Sequence, residues 1–451
     1  MSSTTLPAAE HSLRLRLAGG VGLTGIVLIF LLGLRSPTAM YLGMFLVLVA
    51  LVVAADRALP VLLREPLFWL VLVLFAWVFL RGWVDLATAE ARGMEPDDRA
   101  VWHHARFTPL LPLLFALWVA AWWRYRYILL LLIGLSMVAY MIDNWDRLLY
   151  GLPGGGRPFA SAFGEAGIMA ATVLFLVVAA TIGCWRTGRN WHPGLRWSAT
   201  ALGVALAAFA LFVFLAAQAR AAWLAMLGTL AVFAVVGAWY LWRYAGPRQR
   251  RLALAVSGGG LAVFIVAAIA SWDILSNRLL QDTETIAVLL SGDVEQEDVP
   301  GGSFGDRYRM FRQGLIDIRE NPLWGVGPGS VRDMLHEIWG KDRGGSGNYH
   351  STWLNLLVAM GIPWTLLWVG THVWAIARAA RELIVTDREA FLAVALVGAA
   401  MVHFGTLTFQ GARLWSVQGS ALYLVLMTLV CAVLLRAAVR RQGLASTASP
   451  G

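Results

Sequence analysis

The sequence predicts an all-α polytopic membrane protein of about 12 transmembrane helices, with one large extracytoplasmic loop that contains short helices. Three observations carry that expectation. Hydrophobic residues make up 59% of the 451 positions and charged residues only 14%, against about 25% charged in a soluble domain. Apolar runs approaching the roughly 20 residues needed to cross a bilayer recur along the chain. Asp, Glu, Lys and Arg are missing from the middle of every such run and gather in the connections.

The runs lie near 17–34, 39–55, 67–80, 108–123, 127–142, 163–185, 197–217, 221–242, 252–271, 351–376, 389–409 and 417–435. The third, fourth and fifth are short. Arg14 and Arg16 precede the first, as in a signal peptide, but no small-residue cleavage site follows it and many more spans do, so it reads as a retained helix. The spans divide the chain into 1–271, with nine helices and short loops, a large loop at 272–350, and 351–451, with three helices and a cytoplasmic tail.

Basic residues set the orientation. With the N-terminus in the cytoplasm, 19 of the 36 Lys and Arg residues fall in short cytoplasmic loops and tails, from Arg14 through the run at Arg248, Arg250 and Arg251 to Arg441. Of the other 17, 8 sit in the long loop 272–350, where the rule does not apply. Both termini are therefore expected in the cytoplasm. The net charge of +9 is mainly topogenic and gives no reason to expect nucleic-acid binding. Cys184 and Cys431 lie near expected inner-leaflet ends, where a disulfide is not expected, and read as packing residues.

Three outer segments carry enough polarity for chemistry: "DLATAEARGMEPDDRAVWHHARF" (85–107) in the loop 81–107, "DNWDRLLYGLPGGGRPFASA" (143–162), and 272–350. In the last, "SGDVEQEDVPGGS" is an acidic stretch, and "DRYRMFRQGLIDIRE" spaces Tyr308, Phe311, Leu315 and Ile318 as an amphipathic helix. "NPLWGVGPGS" then breaks it with Pro322, Gly325, Gly327, Pro328 and Gly329.

Several classes lose ground. No Walker motif occurs, and no His/Cys cluster or Asp-x-Asp pair offers a metal site; Asp97 and Asp98 read as solvated. An ion-coupled transporter usually places ionisable groups at mid-depth; here only His372 and His403 lie within spans, and a lone span histidine is more often a packing residue.

The arginines are more informative. Arg147 follows the fifth span in "DNWDRLLYG", and Arg220 sits in "LAAQARAAWLA", a one- or two-residue turn between two long apolar helices. A guanidinium so placed suits phosphate oxygens, which its planar fork meets with two parallel charge-assisted hydrogen bonds. The alternative is an interfacial arginine that snorkels to lipid headgroups, in a chain where Lys341 is the lone lysine. His350, where the tenth span begins, has a side chain able to take a proton near neutral pH; its bland reading is a belt residue beside Tyr349 and Trp353.

"HSTWLNLLVAMG" (350–361), preceded by "NPLWGVGPG" (321–329) and "DRYRMFRQGL" (306–315), resembles the signature of the bacterial O-antigen ligase and polymerase superfamily. The twelve-span layout with one dominant late loop is similar, and covers nearly the whole chain, whereas the motifs cover about a tenth of it. "GGGRPFASAFGEAGIMAA" (154–171) resembles the family's Arg-Pro and Phe-rich start of a middle span in degraded form. "QARAAWLA" (218–225) is similar to its Ser-Arg-x-x-x-Leu-Ala turn, with Ala219 in place of Ser.

The resemblance implies a multi-pass protein of the bacterial inner membrane with its active site facing the periplasm. It implies a metal-independent inverting glycosyltransferase, without cofactor, that moves glycan from undecaprenyl pyrophosphate to a lipid A core hydroxyl in lipopolysaccharide assembly. His350 would be the catalytic base; Arg147, Arg220 and Arg307 would bind the donor pyrophosphate. His336, in the same loop, competes for the base role without the motif context. O-antigen polymerase and protein O-oligosaccharyltransferase share the scaffold, and a transporter of lipid-linked glycan is the non-enzyme alternative. Oligomeric state is not legible.

Overall fold

The computed structural model describes residues 8–89, 91, 101, 104–105, 108–144, 163–188, 191–217, 219–244, 303–339, 349, 351–385, 390–406, 417–442 and 444. Among them all regular secondary structure is helical. The chain forms two compact units, one of residues 1–226 with 317–451 and one of 227–316.

In chain order the longer helices are α1 (Ala8–Leu32), α2 (Pro37–Val53), α3 (Ala55–Leu63), α4 (Pro66–Ala89), α5 (Leu110–Ala121), α6 (Arg126–Asp143), α7 (Phe163–Thr187), α8 (Pro193–Ala216) and α9 (Arg220–Tyr244). After these come α10 (Ser303–Glu320), α11 (Val331–Trp339), α12 (Thr352–Met360), α13 (Ile362–Val385), α14 (Ala390–Thr406) and α15 (Val417–Arg441). Their starts follow local chemistry. Ser36 precedes α2 in extended conformation and its side chain accepts from Ala39 N at 3.2 Å, with Pro37 as the first helical residue. His192 and Pro193 open α8 in the same way.

Among the described residues six helices are long and apolar enough to cross a membrane, at 13–32, 66–88, 123–143, 166–187, 193–216 and 419–441; α2 with α3, bent by 97° at their junction, makes a seventh where the pair is one broken span. The protein is a multi-pass membrane protein. The sequence expected twelve spans. The fourth, eighth and eleventh appear as shorter apolar helices, α5, the 221–236 part of α9, and α14. The ninth, 252–271, lies outside the described residues. The tenth, expected as one helix over 351–376, is instead two helices divided at Gly361.

The core of the larger unit is α15, buried continuously from Ala421 to Leu435 and packed on α5, α13, α14 and α7. The outer helices turn large apolar side chains outward, such as Phe45, Trp69, Trp83 and Val204; a water-soluble surface does not carry that much exposed apolar area. α1 and α2 touch backbone to backbone. A Cβ on Gly25 would lie 2.6 Å from Gly43 O, and one on Gly43 2.7 Å from Gly25 O, the small-residue contact favoured between helices in lipid.

Polar pairs join segments that the sequence assigns to one side. Arg14 meets Asp56 at 2.8 Å and Arg378 meets Glu65, all four on the expected cytoplasmic side. Arg35 pairs with Asp143 on the expected outer side.

Candidate functional site

Three positive-φ glycines shape the segment before the histidine block. Gly325 (φ 65°) and Gly327 (φ 106°) let the chain run along the C-terminal end of α12, where Val326 N donates to Val358 O at 2.8 Å and Gly327 N to Ala359 O at 3.0 Å. Gly361 (φ 82°) ends α12 with its N–H on Leu357 O, and Ile362 N donates to Pro322 O at 2.9 Å. Only glycine takes these conformations without strain. At Gly327 a Cβ would run into the Asp85 carboxylate, and at Gly361 into Leu323 O.

The last turns of α4 hold this loop from outside. Asp85, wholly buried, accepts from Gly329 N at 2.8 Å, from Ser330 N at 3.0 Å and from Ser330 Oγ. One turn earlier, Arg81 donates to Trp324 O at 3.0 Å and Gly325 O at 2.9 Å, and Trp77 stacks on Trp324 with centroids 5.0 Å apart. The sequence ended the third span at 80 and read 81–107 as an outer loop of mixed charge, polar enough for chemistry. The helix instead continues to Ala89, because Arg81 and Asp85 find their partners on the 324–330 loop.

The break at Gly361 changes what α12 does. In a continuous helix, Trp353 and Trp368 would stand about 22 Å apart along the axis. Their ring centroids are 5.5 Å apart, so the chain bends sharply at Gly361 and α12 leans on α13. A helix of nine residues rises only about 13 Å. α12 therefore does not cross a membrane as the first part of a straight span. Ser351 caps it, accepting from Leu354 N at 3.3 Å.

Tyr349 and Ser351, the two neighbours of His350 in the chain, are both fixed. Tyr349, fully buried, donates its hydroxyl to Asp317 in the last turn of α10, and its N–H to Asn355 Oδ1 at 3.2 Å. Asn355 Nδ2 donates to Ser351 O at 2.7 Å. Burial, and then the adjacent Asp317 carboxylate, raise the Tyr349 phenol far above its usual value of 10.0, so Tyr349 stays a donor. On α10 the expected apolar stripe includes Leu315, which is exposed, whereas Asp317 is buried.

α14 touches two of the segments that carry expected site residues. Phe404 lies 6.5 Å from the Trp353 ring on α12, and a Cβ on its neighbour Gly405 would lie 3.4 Å from Ala225 Cβ in the first turns of α9. The start of α9 also packs on α7, where a Cβ on Gly167 would meet Ala219 Cβ at 2.7 Å.

Arg220 is the first residue of α9, at the turn the sequence expected; its side chain lies outside the described residues. Arg147 and His350 lie outside them too. Arg307 is half-buried on the part of α10 that belongs to the smaller unit. His336 is half-buried in the last turn of α11, a helix that packs on α12. The sequence missed Arg81, Asp85, Asp317 and Asn355; their polarity inside or beside apolar runs was the available signal. Among the described residues no group of three or more His, Cys, Asp or Glu is placed to hold a metal.

Residues 205–369 match the family model described as O-antigen ligase. This stretch is therefore similar to the O-antigen ligase family. The match covers just over a third of the chain and supports a likeness to the O-antigen ligase and polymerase superfamily, whose members are glycosyltransferase-like enzymes. No curated protein matches the chain. The matched stretch runs from the second half of α8 into α13, so it includes Arg220, Arg307, His336 and His350, while Arg147 precedes it.

Proposed function

We propose that the protein is an O-antigen ligase, a metal-independent inverting glycosyltransferase of the inner membrane that works on the periplasmic face. Its donor is a glycan on undecaprenyl pyrophosphate and its acceptor a hydroxyl of the lipid A core. One observation supports this reading above the rest: within the matched stretch, both neighbours of His350 are held by buried polar groups, Tyr349 by Asp317 and Asn355, Ser351 by its capping bond and by Asn355. A general base works only when held within hydrogen-bond reach of its proton, and an anchored backbone on each side is what such a residue needs.

In the proposed reaction His350 takes the proton of the acceptor hydroxyl as that oxygen attacks the anomeric carbon. The new glycosidic C–O bond forms as the bond from that carbon to the pyrophosphate oxygen breaks. Undecaprenyl pyrophosphate leaves with the electron pair. Arg147 and Arg220 stabilise the negative charge that develops there. One displacement inverts the anomeric configuration.

The test uses purified full-length protein in lipid, given undecaprenyl-pyrophosphate glycan and lipid A core without metal or nucleotide. The expected product is glycan-extended lipopolysaccharide, reduced at least about a hundredfold by His350→Ala, as for loss of a general base, and strongly by Arg220→Ala and Arg147→Ala. Glycan ladders on the polyprenyl carrier would mean polymerase instead. Transfer to a protein acceptor supplied in parallel would mean a protein O-oligosaccharyltransferase. Donor binding with no transfer of any kind would overturn the enzyme reading in favour of a lipid-linked glycan transporter.

A further inference from the structure

A second polar site lies where α13 and α15 end, apart from the histidine block. A cleft of about 660 Å³ is lined there by Arg378, Arg381, Glu382, Arg436, Trp374 and Val385, with small alanines between them. Two of its three guanidinium groups are engaged by the protein. Arg378 pairs with the largely buried Glu65, lies 3.6 Å from Glu382, and sits over the Trp374 ring at 5.3 Å. Arg436 donates to the Glu382 carbonyl at 3.4 Å. Arg381 is exposed and has no partner among the described residues. Three guanidiniums against two carboxylates, Glu382 in the lining and Glu65 paired with Arg378, leave the cleft one charge positive.

Its rim is apolar as well: Trp374, Ile384 and Val385 are exposed at the same end of α13. A dissolved anion gains nothing from that rim, whereas a lipid has a phosphate for the guanidiniums and an acyl chain for the tryptophan and the aliphatic side chains. We propose that this cleft binds a phosphate monoanion, supplied by the headgroup of an anionic phospholipid at the end of the helix bundle. The sequence assigns Arg378, Arg381 and Arg436 to the cytoplasmic side, so the lipid belongs to the inner leaflet. There it anchors α13 and α15 against the membrane surface.

The experiment uses full-length protein in nanodiscs of phosphatidylcholine doped with phosphatidylglycerol, with retained lipid counted by native mass spectrometry after detergent extraction. Wild type is expected to retain phosphatidylglycerol preferentially. Arg381→Gln lowers that retention roughly fivefold, Arg381→Lys keeps most of it, and Arg441→Gln, which removes the same charge beyond the cleft, leaves it unchanged. Equal effects of Arg381→Gln and Arg441→Gln would reduce the cleft to general surface charge and overturn the proposal. So would the absence of any preference for phosphatidylglycerol. A parallel arm adds inorganic phosphate: displacement of the lipid at millimolar concentration keeps the phosphate site but reassigns its occupant to solution, whereas retention unaffected by phosphate supports the lipid.

Discussion

Tyr349 donates its buried hydroxyl to Asp317, and this bond spans the loop between α10 and the histidine block. It ties the residue just before His350 to the last turn of a helix 32 positions earlier. Tyr349→Phe keeps the ring's packing and removes one partner of a buried carboxylate, a change that costs about 1–3 kcal/mol. The expected result is a lower unfolding temperature in detergent, together with a fall in kcat for glycan transfer that exceeds any rise in KM, because what is disturbed is the placement of the block. Unchanged stability and turnover would show that the bond does not hold the segment.

The same bond gives a pH dependence with a definite sign. Burial and the Asp317 carboxylate raise the folded Tyr349 phenol above its unfolded value of 10.0. The unfolded chain therefore loses this proton first as pH rises. Stability from Tyr349 is fully present below about pH 10 and is lost progressively above it as unfolding becomes coupled to deprotonation. Unfolding temperatures taken across the range from pH 8 to pH 11 should fall more steeply for wild type than for Tyr349→Phe. Parallel curves would mean that other groups dominate the alkaline limb.

Asp85 is the second anchor. Its carboxylate takes two backbone N–H groups and one hydroxyl from Gly329 and Ser330. Asp85→Ala leaves those buried donors without that acceptor and should cost at least ~2 kcal/mol; Asp85→Asn, which keeps one acceptor oxygen, should cost less. Hydrogen exchange gives the local readout. Amides of 325–330 should exchange faster in Asp85→Ala while those of α15 keep their protection, and uniform loss of protection would instead mean global unfolding.

Most of the helical layout was legible because lipid imposes a single strong requirement, a long apolar run, and ten of the twelve expected runs coincide with single helices among the described residues. What was not legible depended on tertiary partners or on a single backbone position. Asp85 reads in sequence as one charge of a mixed-charge outer loop; its partners lie 244 and 245 residues away. The division of the tenth span was hidden because "LNLLVAMGIPWTLLW" is apolar on both sides of Gly361. Its one local signal was Gly361 followed by Pro363, a helix C-cap and then a proline tolerated in the first turn of the next helix. The motif order pointed to the family whose model matches residues 205–369, whereas Asp317, Asn355 and Arg81, the groups that fix the loop, carry no spacing that names them.

Two glycines, one at that break and one beyond it, make the sharpest paired prediction. Gly361 holds φ 82°, and a side chain there would collide with Leu323 O, so Gly361→Ala strains the backbone and separates α12 from the 322–324 turn. A cost above ~1 kcal/mol is expected from the conformation alone, with more from the collision. Gly370, nine residues on within α13, has open space where a Cβ would go. There alanine should be neutral or stabilise by up to ~1 kcal/mol through helix propensity. Thermal unfolding of the two variants beside wild type decides the matter. A marked drop for Gly361→Ala with none for Gly370→Ala supports a chain that must turn at residue 361. Equal tolerance of both would favour an uninterrupted helix from 352 to 385, and the anchored approach to His350 would then need another origin.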